Sequence, residues 1–175
     1  MRLLKLLFLA LLIAPSNALA SGFLGWSFGM DRTQVQAHEE FGPYYPFKNG
    51  DLGSQAGAFQ GRSVPISFYF NDDRLVRVML IAYTGNDLDA VRENLGQAVI
   101  HLTEEFGGVD LPETGEAAAT PEAVAAAFSA QAPSLAVGQR FQVGAFPMPT
   151  DRKVWASVTA VQGGVYMVSV NYAEP

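Results

Sequence analysis

Residues 64–83 read VPISFYFNDDRLVRVMLIAY, and this stretch carries the clearest fold signal of the chain. Apolar residues such as Ile66 and Phe68 recur at a period of two, which is typical of a β-strand with one buried face. The Asn-Asp-Asp sequence at 71–73 favours a tight turn, and a second apolar strand follows from Leu75 to Tyr83. The stretch therefore predicts a β-hairpin.

A long amphipathic helix is predicted directly after this hairpin, from about Leu88 to Phe106. Its apolar positions form one stripe at 3.6 residues per turn; they are Leu88, Val91, Leu95, Ala98, Val99, Leu102 and Phe106. A further helix is predicted to open at Thr120 and Pro121 and to end before Pro133.

The N-terminal part of the chain gives mixed signals. Phe23 to Phe28 predicts a short first strand, and a capping box at Asp31 and Gln34 predicts a helix that runs to about Phe41. Residues 44–61 are rich in Gly, Pro, Asn and Ser, which predicts a loop with one weak strand near residues 56–60.

The last forty residues predict three strands, at about 140–145, 154–161 and 165–172. Strands and helices are grouped along the chain instead of alternating, which indicates an α+β fold. We expect one domain over residues 21–175, built as an antiparallel sheet with helices packed on one face.

Residues 1–20 resemble a cleaved signal peptide. Arg2 and Lys5 precede an apolar run from Leu6 to Ala14, and Ala18-Leu19-Ala20 supplies the small residues of a cleavage site. The apolar run is too short for a stable membrane span. We therefore expect a mature chain that begins at Ser21 and is periplasmic or secreted in a bacterium.

Charge and cysteine content narrow the possible functions. The chain has 11 basic and 17 acidic residues, and loss of the two basic residues in 1–20 changes the balance to 9 − 17 = −8. Nucleic acids and anionic membranes select basic patches, so neither is the expected partner. With no cysteine, the chain has no thiol catalysis, thiolate metal site or lipid-anchor cysteine.

Candidate catalytic and metal residues are few. Gly25-Trp26-Ser27-Phe28-Gly29 matches the G-x-S-x-G pattern of a nucleophile elbow, and a small serine hydrolase using Ser27 is one alternative. An elbow serine follows a buried central strand, and Ser27 is only the seventh residue of the expected mature chain. His38 and His101 lie beside glutamates, on helix positions that do not favour a shared metal site. We expect no catalytic residue, metal or cofactor.

A partner-binding site is the stronger expectation. Tyr44, Tyr45 and Phe47 lie in the predicted loop, where binding residues are common, and Arg77 lies on the second hairpin strand. Trp155 is a further contributor, since Tyr, Trp and Arg dominate binding hot spots. Alternatively, these aromatic side chains belong to the core and the sheet is covered on both sides.

The period of two along the second hairpin strand assigns Arg77 to a definite face. The same face is expected to carry the apolar residues Leu75, Met79, Ile81 and Tyr83. If that face is uncovered, it combines apolar and aromatic groups with an arginine, which is the composition of protein interfaces.

Two segments resemble the SmpA/OmlA class of small bacterial envelope proteins. Gly29-Met30-Asp31-Arg32-Thr33-Gln34-Val35 with Gly42-Pro43 is similar to the first helix of that class, and residues 68–76 are similar to its strand-turn-strand segment. The resemblance implies a β-lactamase-inhibitor-like fold and a function in binding other proteins. Unlike that class, this chain has no lipid-anchor cysteine, and it carries an added helix at 88–106.

These observations together predict a non-catalytic periplasmic protein that binds another envelope protein. An inhibitor or immunity protein of an envelope-acting enzyme is the alternative.

Overall fold

The computed structural model describes residues 23–111, 116, 117 and 119–175. The predicted signal peptide and its cleavage site lie outside the described residues. Nine strands form one sheet, and every neighbouring pair is antiparallel. The strands are β1 (Tyr44–Pro46), β2 (Leu52–Phe59), β3 (Arg62–Asn71), β4 (Arg74–Gly85), β5 (Val109–Leu111), β6 (Glu116–Ala117), β7 (Arg140–Ala145), β8 (Lys153–Val161) and β9 (Val165–Ala173).

The described residues also form three α-helices, namely α1 (Arg32–Gln36), α2 (Leu88–Phe106) and α3 (Pro121–Gln131). Each begins at a side-chain cap: Asp31 accepts from the Gln34 N–H in a capping box, and Asp87 and Thr120 cap α2 and α3. The mixed helix and strand content confirms the α+β class, and the predicted hairpin, both long helices and the three C-terminal strands are confirmed.

The sheet order explains the position of α2. Its strands lie in the order β1-β2-β3-β4-β9-β8-β7-β5-β6. The chain must therefore pass from central β4 to β5 near the far edge, and α2 makes this crossing in contact with β4, β9 and β8. On α2 itself, Leu95 and Val99 are fully buried. Leu88, which the predicted apolar stripe included, is exposed.

Two β-bulges change which side chains share a face with Arg77. One lies where the pairing passes from Tyr69–Arg77 to Phe70–Leu75, and the other lies between Ile81 and Tyr83. Each bulge inserts one residue and shifts the alternation. Leu75 is therefore fully buried in the core and Tyr83 packs against it. The prediction that these two residues share the Arg77 face was wrong.

The N-terminal region also differs from its prediction. Phe23 and Trp26 form only an isolated bridge in place of a strand, and α1 stops at Gln36, with a separate 3₁₀ turn at Glu39–Phe41. The predicted loop at 44–61 contains two strands, β1 and β2. Trp26 anchors this region because its buried ring packs against Phe41 and Phe68.

Candidate functional site

One row of directly paired residues crosses seven strands on a single face of the sheet. From β1 to β7 the row is Tyr45, Gly53, Ser67, Met79, Asn171, Trp155 and Gly144. Directly paired residues of antiparallel strands point to the same side. We call this side the Arg77 face. Its β3, β4, β7, β8 and β9 positions also include Tyr69, Arg77, Ile81, Arg140, Gln142, Lys153, Ser157, Thr159, Met167 and Ser169.

The neighbouring row lies on the opposite face and is apolar. It contains Tyr44, Ser54, Ile66, Leu80, Val170, Ala156 and Val143. We call this side the core face. The adjacent residues Tyr44 and Tyr45 are thus on different faces, as the alternation of side chains along β1 requires.

Arg77 is positioned by its pairing with Tyr69 across β3 and β4. Its guanidinium carbon lies 3.7 Å from the centre of the Tyr69 ring, in cation–π contact, and the Tyr69 hydroxyl donates to the Met79 sulfur at 3.6 Å. The Nε of Arg77 is buried, and none of the described residues accepts a hydrogen bond from it. A guanidinium held in this way is ready to donate to an added acceptor.

Trp155 lies two strands away, in the row that includes Asn171 and Gly144. Its indole Nε1 is also buried, and it too has no hydrogen-bond partner within the described part of the chain. A Cβ on Gly144 would lie 3.1 Å from the methyl carbon of Met148, so the exposed Met148 lies beside this end of the row. Two of the predicted site residues, Arg77 and Trp155, therefore lie on one face. Each has a side-chain N–H for which no described residue supplies an acceptor.

A small polar cluster on β8 and β9 lies next to Trp155, on the side away from Arg77. The Ser157 and Ser169 hydroxyls are 3.1 Å apart, and the Asn171 side-chain amide donates to Ser169 at 3.1 Å. All three side chains are buried, and they line a cavity of about 200 Å³ together with Arg77 and Arg140. Sequence reasoning missed this cluster, although small polar residues at a period of two in β8 and β9 were a usable signal.

The charge of the Arg77 face is opposite to that of the whole chain. Its described strand positions include the cations Arg77, Arg140 and Lys153 and the acid Asp110, which pairs with Gly144, whereas the chain has a net charge of −6. Among the described residues, neither arginine has an ion-pair partner, whereas Arg32 and Arg92 pair with Asp73 and Asp89. The cations named here outnumber the acid, and the two arginines are not neutralised by an ion pair within the described residues.

The three aromatic residues predicted in the 44–47 segment do not act as a unit. Tyr45 lies over Gly53, where an added Cβ would be 2.5 Å from its ring, and it contacts Phe47 edge to face at 5.5 Å. Tyr45 and Phe47 are 37% and 40% exposed. Tyr44 instead packs towards Phe68, and its hydroxyl donates to the His38 carbonyl at 2.9 Å. Burial and then the Glu40 charge raise the pKa of Tyr44 to about 12.

Ser27 and the two histidines lie elsewhere. Ser27 is in an irregular segment, and among described residues none forms a hydrogen bond with its hydroxyl. His38 packs against the edge of Trp26. His101 on α2 lies against the sheet, where its Nε2 is 2.7 Å from the hydroxyl of the buried Tyr172.

The Tyr172 hydroxyl also donates to Glu105, at 3.2 Å, so that the core face contains a Tyr–His–Glu network. Burial, and next the charge of Glu105, raise the pKa of Tyr172 far above its usual value. The Tyr172 ring stacks on Phe23 with 3.8 Å between centroids. This network ties α2 and the N-terminal segment to the central strand β9.

In the described part of the chain, no helix is long and apolar enough to cross a membrane, and no three His, Asp or Glu side chains gather as a metal site would require. Comparison of the chain with protein-family models, curated proteins and solved structures found no match.

Proposed function

We propose that this chain is an exported, non-catalytic protein that binds another protein of the cell envelope through the Arg77 face. In this proposal the helices occupy the core face alone. Two contacts support that arrangement: α2 lies against β4, β8 and β9, and Phe23 stacks on Tyr172, whose β9 neighbours on the same face are core residues. The opposite face is then available to a partner.

The observation that carries the proposal is the pair of buried N–H groups, Arg77 Nε and Trp155 Nε1, for which the described residues supply no acceptor. Leaving such a group unsatisfied costs about 1–3 kcal/mol, and a bound partner removes that cost when the side chains over the group move aside and an acceptor takes their place. Because cations outnumber acids on this face, the proposed partner surface is acidic.

The dimensions of the row favour a protein over a small molecule. Seven strands give six spacings, or about 29 Å across the sheet. Exposed Tyr45 and Phe47 lie at one end, and Trp155 and the exposed Met148 lie at the other. Aromatic and methionine side chains placed around a polar, positively charged centre are typical of protein interfaces.

An inhibitor or immunity protein is a close variant of the same proposal. A cationic face fits an active site lined by carboxylates, so the partner in this variant is an envelope-acting enzyme. Inhibition of the identified partner at one-to-one stoichiometry distinguishes the variant from a structural binding module.

Site-specific photo-crosslinking in cells expressing the full-length gene tests the proposal. In separate variants, the photo-reactive residue benzoylphenylalanine replaces Phe47 or Lys153 at the proposed binding surface. In the control variant it replaces the exposed Ile100 of α2. We expect one partner to be cross-linked from both Phe47 and Lys153 and not from Ile100. The affinity of the purified partner should fall at least about tenfold for Arg77→Glu and stay unchanged for Arg92→Glu. Cross-linking from Ile100 alone, or an unchanged affinity of folded Arg77→Glu protein, contradicts the proposal.

Export has its own test. Cell fractionation should place the protein in the periplasm or medium, and N-terminal sequencing should begin at Ser21. A protein that keeps Met1 and stays in the cytoplasm contradicts this part of the proposal.

A further inference from the structure

Arg77 and Arg140 lie at opposite ends of one groove on the Arg77 face. Arg77 pairs with Ala173, whereas Arg140 pairs with Thr159, which in turn pairs with Met167. The two arginines are thus separated by six residues along β9, or about 20 Å, and by three strand spacings, or about 14 Å. Both nevertheless line the same cavity of about 200 Å³. Their side chains extend from the two ends towards the middle of the groove. Each guanidinium group can therefore bind its own anion.

The arginines lack the partners that would neutralise them inside the described protein. Among the described residues, none accepts a hydrogen bond from Arg77 Nε, and none of those that line the groove is a carboxylate. Arg77 is partly buried and Arg140 is exposed, and the guanidinium group of each can form charge-assisted, bidentate hydrogen bonds with a carboxylate. The two ends of the groove therefore select carboxylates.

The middle of the groove has a different chemistry. Its floor is the buried Ser157, Ser169 and Asn171 cluster, and Met79 and Met167 line the same cavity. None of the described residues donates a hydrogen bond to the Asn171 side-chain oxygen. Amide and hydroxyl groups flanked by methionines fit a peptide backbone with small or apolar side chains.

We propose that this groove binds an extended acidic segment of the partner, with one carboxylate at Arg77 and a second at Arg140. The inference rests on the proposed function, since the segment belongs to the protein partner. In an extended chain, residues i and i+4 point to the same side and lie about 13 Å apart. The backbones of Arg77 and Arg140 are about 24 Å apart, the diagonal of the two separations above. Because both side chains extend towards the middle of the groove, their guanidinium groups are closer together than that, at a distance that suits the i and i+4 carboxylates. The preferred segment has Asp or Glu at i and i+4.

The probe is the capped peptide Ac-Thr-Glu-Val-Ser-Val-Glu-Thr-NH2, with the same peptide carrying Gln at both Glu positions as its control. Binding to the purified protein is followed by NMR of ¹³C-labelled methionine methyl groups. We expect saturable shifts at Met79 and Met167 and none at Met30, which lies at the N-cap region of α1. The Gln peptide should bind at least about tenfold more weakly, because the charge-assisted hydrogen bonds are lost.

Arginine variants locate the two carboxylates. Arg77→Gln and Arg140→Gln should each remove most of the preference for the Glu peptide, whereas Arg92→Gln, which loses only an ion pair on α2, should bind as wild type does. Because Arg140 is exposed on β7, its replacement tests the groove even if Arg77→Gln fails to fold.

The outcomes separate this inference from the proposed function. Equal affinity for the Glu and Gln peptides, or an unchanged preference in Arg140→Gln, overturns the inference while a cross-linked partner can still support the function. A clear Glu preference in a protein that cross-links to no partner supports the groove and overturns the proposed function.

Discussion

Replacement of Tyr172 by Phe isolates the hydroxyl of the buried Tyr–His–Glu network. The ring, which stacks on Phe23, is retained, and only the oxygen that contacts His101 and Glu105 is lost. A consistent hydrogen assignment has His101 Nε2 donating to the Tyr172 oxygen and the hydroxyl donating to Glu105. The substitution therefore removes two hydrogen bonds and no packing.

The expected loss of stability is moderate. Hydrogen bonds to charged groups contribute about 1.5–3 kcal/mol when buried, but His101 and Glu105 are 24% and 37% exposed and remain 3.3 Å apart as a direct pair. Solvent and this pairing recover part of the loss, so we expect Tyr172→Phe to lower the free energy of unfolding by about 1–2 kcal/mol. In a chain of this size that lowers Tm by about 2–8 °C.

Thermal and urea unfolding followed by circular dichroism measure the effect, with Tyr166→Phe as the matched control. Tyr166 lies on the same strand, and its hydroxyl makes only a long 3.4 Å contact with the Ala132 carbonyl, so its loss should cost less than about 0.5 kcal/mol. Equal effects of the two substitutions would refute the network. A second refutation would be additive effects of Tyr172→Phe and Glu105→Gln, since contacting partners should be coupled.

Three further predictions concern the fold. Leu95→Asp places a carboxylate in the fully buried centre of α2, so it should abolish cooperative unfolding, whereas Leu95→Ala should cost about 2–5 kcal/mol in urea denaturation. Gly57→Ala should cost about 1–3 kcal/mol or more, because its Cβ would lie 2.7 Å from the Val64 carbonyl oxygen; at Gly61 an added Cβ meets nothing within 4 Å, so Gly61→Ala adds only turn strain. The contribution of Tyr44 and Tyr172 to stability should be fully present below about pH 10, the tyrosine pKa of the unfolded chain, and should be lost as pH rises from 10 towards 12, because the folded state raises the pKa of both. A flat stability between pH 10 and 12 would contradict the last of these.

Elements with a strong hydrophobic period were predictable from the sequence. The hairpin of β3 and β4 and the long helix α2 each carry an apolar face that only one secondary structure buries. Strand β2 was not predictable as a full strand, because LGSQAGAF has low strand propensity. It forms because β3 pairs with it, and Gly57 allows the close approach to Ile66 and Leu80.

The composition of the Arg77 face depended on features that the sequence pattern does not contain. Period-two counting from Arg77 included Leu75 and Tyr83, and two bulges placed both residues towards the core. Arg77 and Trp155 were both predicted site residues, but their common face follows from the placement of β9 between β4 and β8. That placement is a long-range pairing, and local propensity carries no information about it.

The central strand of the sheet is also the last of the nine strands in chain order. Residues 86–164 separate β4 from β9, so on a ribosome that adds about 5–20 residues per second, β4 is made several seconds before the strand that covers its edge. During that interval the apolar sequence of β4 presents unpaired N–H and C=O groups, which is a template for wrong strand pairing. Biogenesis of this protein therefore favours conditions that keep the nascent chain apart from other chains until residue 173 is available. Once β9 is inserted, the sheet closes at its centre and the Arg77 face forms in the same step.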